Sequence, residues 1–129
     1  MTEGLEAITT TALGLALDAA SLRQQAISAN IANANSIDYV PVKVNFEAQL
    51  DDARQALQSN GRLDASALAG VAPKLEMDVD TTVLGLSPKV SLDIEVARMA
   101  QNAVHYQALV KGLSKHYAIL SAAVNDGKK

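Results

Sequence analysis

The chain has 129 residues, nearly half of them hydrophobic, a net charge of −3 and no cysteine. That is one domain's worth of chain, able to bury a modest core, and its 11 basic residues are spread out, leaving no electrostatic footprint for nucleic acid. The missing cysteine excludes disulfides, thiolate metal sites and a Cys nucleophile.

The aromatic residues are one Phe and three Tyr, with no Trp. The apolar mass is therefore Ala, Leu and Val, which suits closely packed helices better than the wall of a ligand pocket. Glu3 and Glu6 make the N-terminus acidic where a secretory signal is basic, and no small-residue cleavage pattern follows, so the chain is expected to be either cytoplasmic or exported by a route that leaves it uncut. The most apolar run, Thr9 to Leu22, contains Gly14 and Asp18 and stops at Arg23. It falls short of the ~20 residues of a membrane span.

From about Leu5 to Asn33, apolar or small residues recur alternately three and four apart: Leu5, Ile8, Ala12, Leu15, Ala19, Leu22, Ala26, Ala29 and Asn33. This heptad-like seam predicts a long helix built to wind against another. Leu13, Leu17 and Ala20 lie off the seam and Asp18 is the one charge between Thr9 and Leu22, so the helix is apolar nearly all round and is expected to be buried on more than one side. At roughly 29 residues it would be ~43 Å long, more than the rest of so small a chain would cover, and other subunits are the expected cover. The helix should end in Asn30, Asn33 and Asn35, whose side chains compete for backbone hydrogen bonds and favour caps and turns.

Beyond the asparagines, Val40, Val42, Val44 and Phe46 alternate with polar residues, an extended segment that Pro41 confines to an edge. Glu47 to Ser59 places Leu50, Ala53, Ala56 and Leu57 at helical spacing, with Asn60-Gly61 as its C-cap. Leu75, Met77 and Val79 alternate against Lys74, Glu76 and Asp78, a second strand that could pair with the first. Asp80 to Val90 reads as a loop. Ser91 is placed to cap a final helix, with Asp93 and Glu95 at the positive end of its dipole. From there a second seam runs unbroken: Leu92, Val96, Met99, Ala103, Tyr106, Val110, Leu113, Tyr117, Leu120 and Val124. Gly127 then stops the helix before Lys128 and Lys129.

The expected fold is mainly α. Two long heptad-patterned helices, over 1–35 and 91–129, form an antiparallel coiled-coil-like pair, and an insert over 36–90 carries short strands and one short helix, all in one structural unit.

No constellation points to catalysis. His105 and His116 lie near one face of the last helix but ~16 Å apart along its axis, too far to share a metal ion, and read as solvated or partly packed. Asp51-Asp52 and Asp78-Val79-Asp80 lack the glycine-turn spacing of a calcium loop. No phosphate loop, nucleophile elbow or paired-acid motif is present. No catalytic residue, metal or cofactor is expected.

The asparagine stretch, Asn30-Ile31-Ala32-Asn33-Ala34-Asn35-Ser36 followed by Tyr39, resembles the N-terminal signature of the bacterial flagellar rod and hook axial proteins, in which Asn-(Ile/Val)-Ala-Asn precedes Thr-Pro-Gly-Tyr. The preceding Leu22, Gln25 and Ala29 are similar too. Val90 to Ala108, with Glu95, Asn102 and Tyr106, resembles the family's C-terminal motif, in which an acidic residue, an Asn and a Tyr recur along the last helix. The short length and Val44-Asn45-Phe46-Glu47 point to a proximal-rod member rather than the hook or the distal rod. The resemblance covers about half the chain, in the right order and at the right ends. One departure stands out: Ile37-Asp38 replaces Pro-Gly before the tyrosine, so the turn is expected to be made differently, with Asp38 bonding its own backbone.

The resemblance implies a structural subunit of the basal-body rod in the periplasm, exported through the flagellar type III secretion channel without a cleaved signal. Its expected partners are other copies of itself, neighbouring rod proteins and the export apparatus, with no nucleic acid and no membrane span. Assembly would be helical, through the terminal helices. The residues expected at the subunit interface are Leu15, Leu22, Asn30, Ile31, Asn33, Asn35, Tyr39, Asn102, Tyr106, Leu113, Tyr117 and Leu120. The alternative readings are a self-contained helical-hairpin adaptor and another axial protein of the rod and hook family.

Overall fold

The computed structural model of the chain describes residues 2–61, 68, 70–78 and 89–127. Its elements in order are α1 (Thr2–Ala32), β1 (Val42–Val44), α2 (Phe46–Asn60), β2 (Leu75–Met77) and α3 (Leu92–Asp126). All three helices and both strands fall where the periodicity puts them. The loop expected from Asp80 lies outside the described residues as far as position 88.

The terminal helices pair antiparallel, as three hydrogen bonds along their length show. Thr10 Oγ1 lies 3.3 Å from His116 Nε2, Asn102 Nδ2 donates to the Ala20 carbonyl at 2.9 Å, and Asn30 Nδ2 donates to Glu95 Oε2 at 3.3 Å. The small Ala19, Ala20 and Ala26 are buried, and such residues let neighbouring elements approach a helix closely. No helix among the described residues is long and apolar enough to cross a membrane.

The α1 seam does not wait for another subunit over its whole length. Ala19 and Ala26 form a buried core with Val44 and Phe46, and Leu15, Ala16, Leu22, Val42, Leu50 and Val71 pack against it. The chain's own insert thus covers one side of α1 between Leu15 and Ala26 while α3 lies on another. Both sides of an all-round apolar helix are used.

The α3 seam departs from expectation. Of its ten positions only Met99, Leu113 and Leu120 are half-buried, and the other seven are exposed. The buried and half-buried face is instead Glu95, Met99, Asn102, Leu109, Leu113, His116 and Leu120. The helix carries two overlapping stripes, and the one with polar residues in it faces α1.

β1 and β2 pair antiparallel with Val42 opposite Met77, Lys43 opposite Glu76 and Val44 opposite Leu75. Asp78 N–H donates to the Pro41 carbonyl at 2.8 Å, which makes Pro41 with Asp78 and Lys43 with Glu76 the hydrogen-bonded pairs of the ladder. In antiparallel ladders the intervening residues turn their backbone groups away from the partner strand. Val42 and Val44 therefore aim theirs towards α1.

Four helix ends are each made differently. At the end of α1, Asn33 Nδ2 caps the Ala29 carbonyl at 2.9 Å and its backbone N–H reaches the same carbonyl at 3.1 Å. Gly61 takes φ +68 after α2, the left-handed cap that glycine adopts at no steric cost. Gly127 follows α3 but stays right-handed at φ −71, its N–H on the Ala123 carbonyl. At the start of α3, Ser91 sits at the N-cap in extended conformation and makes no side-chain cap bond; only its carbonyl is used, by Glu95 N–H at 3.0 Å.

The turn before Tyr39 keeps a glycine-like backbone without glycine. Asp38 stands at φ 59, the only described non-glycine residue with positive φ, so the departure Ile37-Asp38 is absorbed by an aspartate in the left-handed region, one of the few residue types that visit it. Ile37 is 92% exposed at the tip. We expect Asp38→Gly to raise stability by about 0.5–1 kcal/mol, by removing the Cβ penalty at this φ. Phe46→Ala should lower it by about 3–5 kcal/mol, the usual cost of an emptied aromatic site. Urea unfolding of both variants, with opposite shifts in midpoint, checks the pair.

Candidate subunit interface

Where α1, β1 and α3 meet, Asn30 is 2% exposed and its amide joins all three. Nδ2 donates to the Val42 carbonyl at 2.9 Å and to Glu95 Oε2, while Oδ1 accepts from Val42 N–H and from the Tyr39 hydroxyl, both at 2.9 Å. The side chain thus presents Val42 with one donor and one acceptor, as a neighbouring strand would. One pleat along, Arg23 Nη2 serves the carbonyl alone, donating to Val44 at 3.1 Å. Side chains of α1 close the inner edge of the hairpin.

Glu95 is 4% exposed and its charge is met by Arg98 Nη1 at 2.8 Å, one helical turn away. A buried carboxylate is costly unless paired and hydrogen-bonded, and Arg98 and Asn30 together supply both. Asn102, 6% exposed, donates to the Ala20 carbonyl and to Gln24 Oε1 at 3.3 Å. Two ion pairs finish the hairpin side, Arg23 with Glu47 and Lys43 with Asp78 at 3.2 Å. Between these walls lies a cleft of about 470 Å³, into which His105 and Gln101 also face.

Two groups here titrate away from their ordinary range. Burial and the nearby Glu95 carboxylate push the Tyr39 phenol up. Burial works to raise Glu47, but the hydrogen bond from Arg23, a backbone hydrogen bond and the charges of Arg23 and His105 outweigh it, and its carboxyl lies below the ordinary range.

The second candidate surface is the uncovered side of α3. Leu92, Val96, Tyr106, Val110, Tyr117 and Val124 recur along it and are all exposed, and Ile94, Val104 and Ile119 widen it. Monomers rarely expose an apolar strip of this extent, and such strips mark interaction sites.

The twelve residues expected at the interface divide between these regions. Asn30, Tyr39 and Asn102 make the described hydrogen bonds within the chain, and Asn33 caps α1, with its Oδ1 3.4 Å from Ser36 Oγ. Leu15 and Leu22 pack on the core. Ile31, Leu113 and Leu120 are half-buried, whereas Asn35, Tyr106 and Tyr117 are exposed. Sequence reasoning missed Glu95 as a buried member of the junction and Arg23 as a cap on β1. The signal for the first was present: Glu95, Asn102, Leu109 and His116 recur at intervals of seven, a heptad line that passes unnoticed because three of its four residues are polar. Among the described residues no cluster of His, Asp or Glu could hold a metal ion; Asp51 pairs with Arg54 and Asp78 with Lys43.

No protein-family profile matches the chain. Among individual proteins, it is 28% identical over 116 residues to the flagellar basal body rod protein FlgB of Bacillus subtilis, an alignment spanning 88% of this chain and 90% of the relative. It is 30% identical over 113 residues to the protein of the same name from Borreliella burgdorferi, spanning 78% of this chain and 83% of that one.

Removing the junction should be expensive. Asn30→Ala leaves both Val42 backbone groups, the Tyr39 hydroxyl and part of Glu95 without their partner, and we expect a loss of about 2–4 kcal/mol. Tyr39→Phe removes one hydrogen bond and should cost about 1 kcal/mol; chemical denaturation of the two variants measures both. Because the folded phenol titrates above its unfolded value of about 10, its contribution is complete below that pH and is lost as pH rises through the raised value. Absorbance titration of the tyrosines should show a late phase above pH ~10 that disappears in Tyr39→Phe.

Proposed function

We infer the role of this protein from its family: the chain belongs to the flagellar basal body rod protein FlgB family and is a component of the flagellar basal-body rod. From that premise we propose that it is a proximal-rod subunit, assembling helically with copies of itself and with neighbouring rod proteins in the periplasm after export through the flagellar secretion channel without a cleaved signal. A structural role, with no catalytic function, fits relatives that are rod proteins by name. The helices over 1–35 and 91–129 form the axial part, and the insert over 36–90 belongs to the same unit.

The observation that carries the assembly reading is the uncovered apolar side of α3. A single chain turns the stripe containing Glu95 and Asn102 towards α1 and leaves the parallel stripe of Val96, Tyr106, Val110 and Tyr117 in solvent. Covering such side chains contributes about 25 cal/mol per Å², and another subunit's helix is the cover a rod supplies. Tyr106, Tyr117 and Asn35 are the members of the expected interface most open to a neighbour. Asn30, Tyr39 and Asn102 act one step back, by setting the shape that is presented.

A helical-hairpin adaptor is the second reading, favoured by the intramolecular pairing of α1 with α3. Val96→Asp and Val110→Asp separate the two. Both sites are exposed, so each change should leave folding within about 0.5 kcal/mol of the parent, while rod assembly and motility are lost. Normal motility and rods containing the variants at parental levels would remove α3 from the interface. Leu113→Asp is less discriminating, since Leu113 is half-buried on the side facing α1 and its substitution should also weaken the helix pair.

A further inference from the structure

The hairpin has two edges, and α1 closes only one. The ladder register that turns Val42 and Val44 towards Asn30 and Arg23 turns Leu75 and Met77 the opposite way, with their N–H and C=O groups aimed off the outer side of β2. No hydrogen bond among the described residues meets that edge. Its side chains are open as well, with Leu75 49% and Met77 66% exposed. Leu75 and Met77 stand opposite Val44 and Val42, on the face that packs on α1, so they continue the hairpin's apolar face past the helix into solvent. The strand has no proline, lysine or bulge within its three residues, Pro73 and Lys74 both falling before it; its shortness and the Glu76 charge limit which chains can pair with it.

We propose that the outer edge of β2 is a strand-addition site for an extended segment of a partner protein in which a basic residue lies between two apolar ones. The backbone spacing selects an extended chain, since only a strand offers donors and acceptors in register with those of Leu75 and Met77. The pleat selects the pattern. An incoming strand lays alternate side chains beside Leu75 and Met77, where apolar groups gain contact, and the one between them beside exposed Glu76 on the other face, where opposite charge stabilises and like charge opposes pairing. A second copy adding its own β2 about a two-fold axis in the register that pairs Leu75 with Met77 would set Glu76 against Glu76, and the register that pairs Leu75 with Leu75 would bring Pro73, which has no N–H, opposite Met77; both weaken that occupant. The site is distinct from the α3 side used in the proposed rod packing.

The test is nuclear magnetic resonance on the full chain titrated with a short capped peptide alternating valine and lysine. The Leu75 and Met77 amides should shift and, at saturation, exchange about tenfold more slowly with solvent. A peptide with glutamate in place of lysine should bind several-fold more weakly, and Glu76→Lys should invert that preference. Unmoved Leu75 and Met77 amides at saturation, a perturbation centred on α3, or equal binding of the two peptides would each overturn the proposal. So would sedimentation showing that the peptide-free protein dimerises through this edge, because a second copy would then be the occupant. Val110→Asp should leave peptide binding unchanged, so failure here is distinguishable from failure of the rod-packing reading.

Discussion

One amide fixes how the parts of this molecule are arranged. Asn30 sits in the last turns of α1 and takes its four hydrogen bonds from β1, from the chain entering β1 and from α3. Leucine or alanine there would leave the N–H and C=O of Val42 facing a helix with nothing to bond them, and a buried unsatisfied backbone group is among the costlier faults a fold can carry. A residue with one donor and one acceptor set side by side, as on the edge of a strand, answers both. The short hairpin, too small to stand alone in water, is thereby held to the helix pair at a set position and angle.

The same constraint accounts for the polar line along α3. Once Asn30 needs a partner on α3, Glu95 must be buried, Arg98 must neutralise it, and the side of α3 turned to α1 is decided. Asn102 and His116 follow at heptad spacing, each bonded to α1. A helix held by these polar contacts is specified in register and rotation more sharply than one held by methyl groups alone. The consequence is that the more hydrophobic stripe, beginning at Leu92 and Val96, is turned away. In an isolated chain that is an energetic liability; in a subunit of a larger assembly it is the surface left for a neighbour.

The elements themselves were legible because their periods are strong. A run of three-and-four spacing over about eight turns has one regular interpretation, and the alternation on either side of Lys43 and Glu76 has another. The rotation of α3 was not legible, because a period says that a stripe exists and not which of two overlapping stripes is inward. Hydrophobicity favoured the stripe through Val96 and Val110, and the folded chain uses the one through Glu95 and Asn102, since hydrogen bonds to partners 65 and 82 residues away are invisible to local pattern. Asn30 and Tyr39 were picked out by resemblance as contact residues, but their bonding within the chain depends on β1 returning to lie beside α1. The turn at Ile37-Asp38 looked like a break in the motif. The backbone shows that Asp38 takes a positive φ, a region open to glycine and to few other residues, so the turn needs no glycine at this position.

Edge management in the hairpin follows the same logic at a smaller scale. A two-stranded sheet has two open edges, and here the inner one is closed by Asn30 and Arg23, side chains that sit seven residues, or about two helical turns, apart on one face of α1. That spacing, roughly 10.5 Å along the helix, is somewhat longer than the ~7 Å between Val42 and Val44 along a strand, and the length of the arginine side chain makes up the difference. The amide and the guanidinium together tie β1 to α1 at two points. Since β2 is tied to β1 by register, its outer edge is held in a set orientation to the helices. Through Asn30, which bonds both Val42 and Glu95, the hairpin and α3 share one junction.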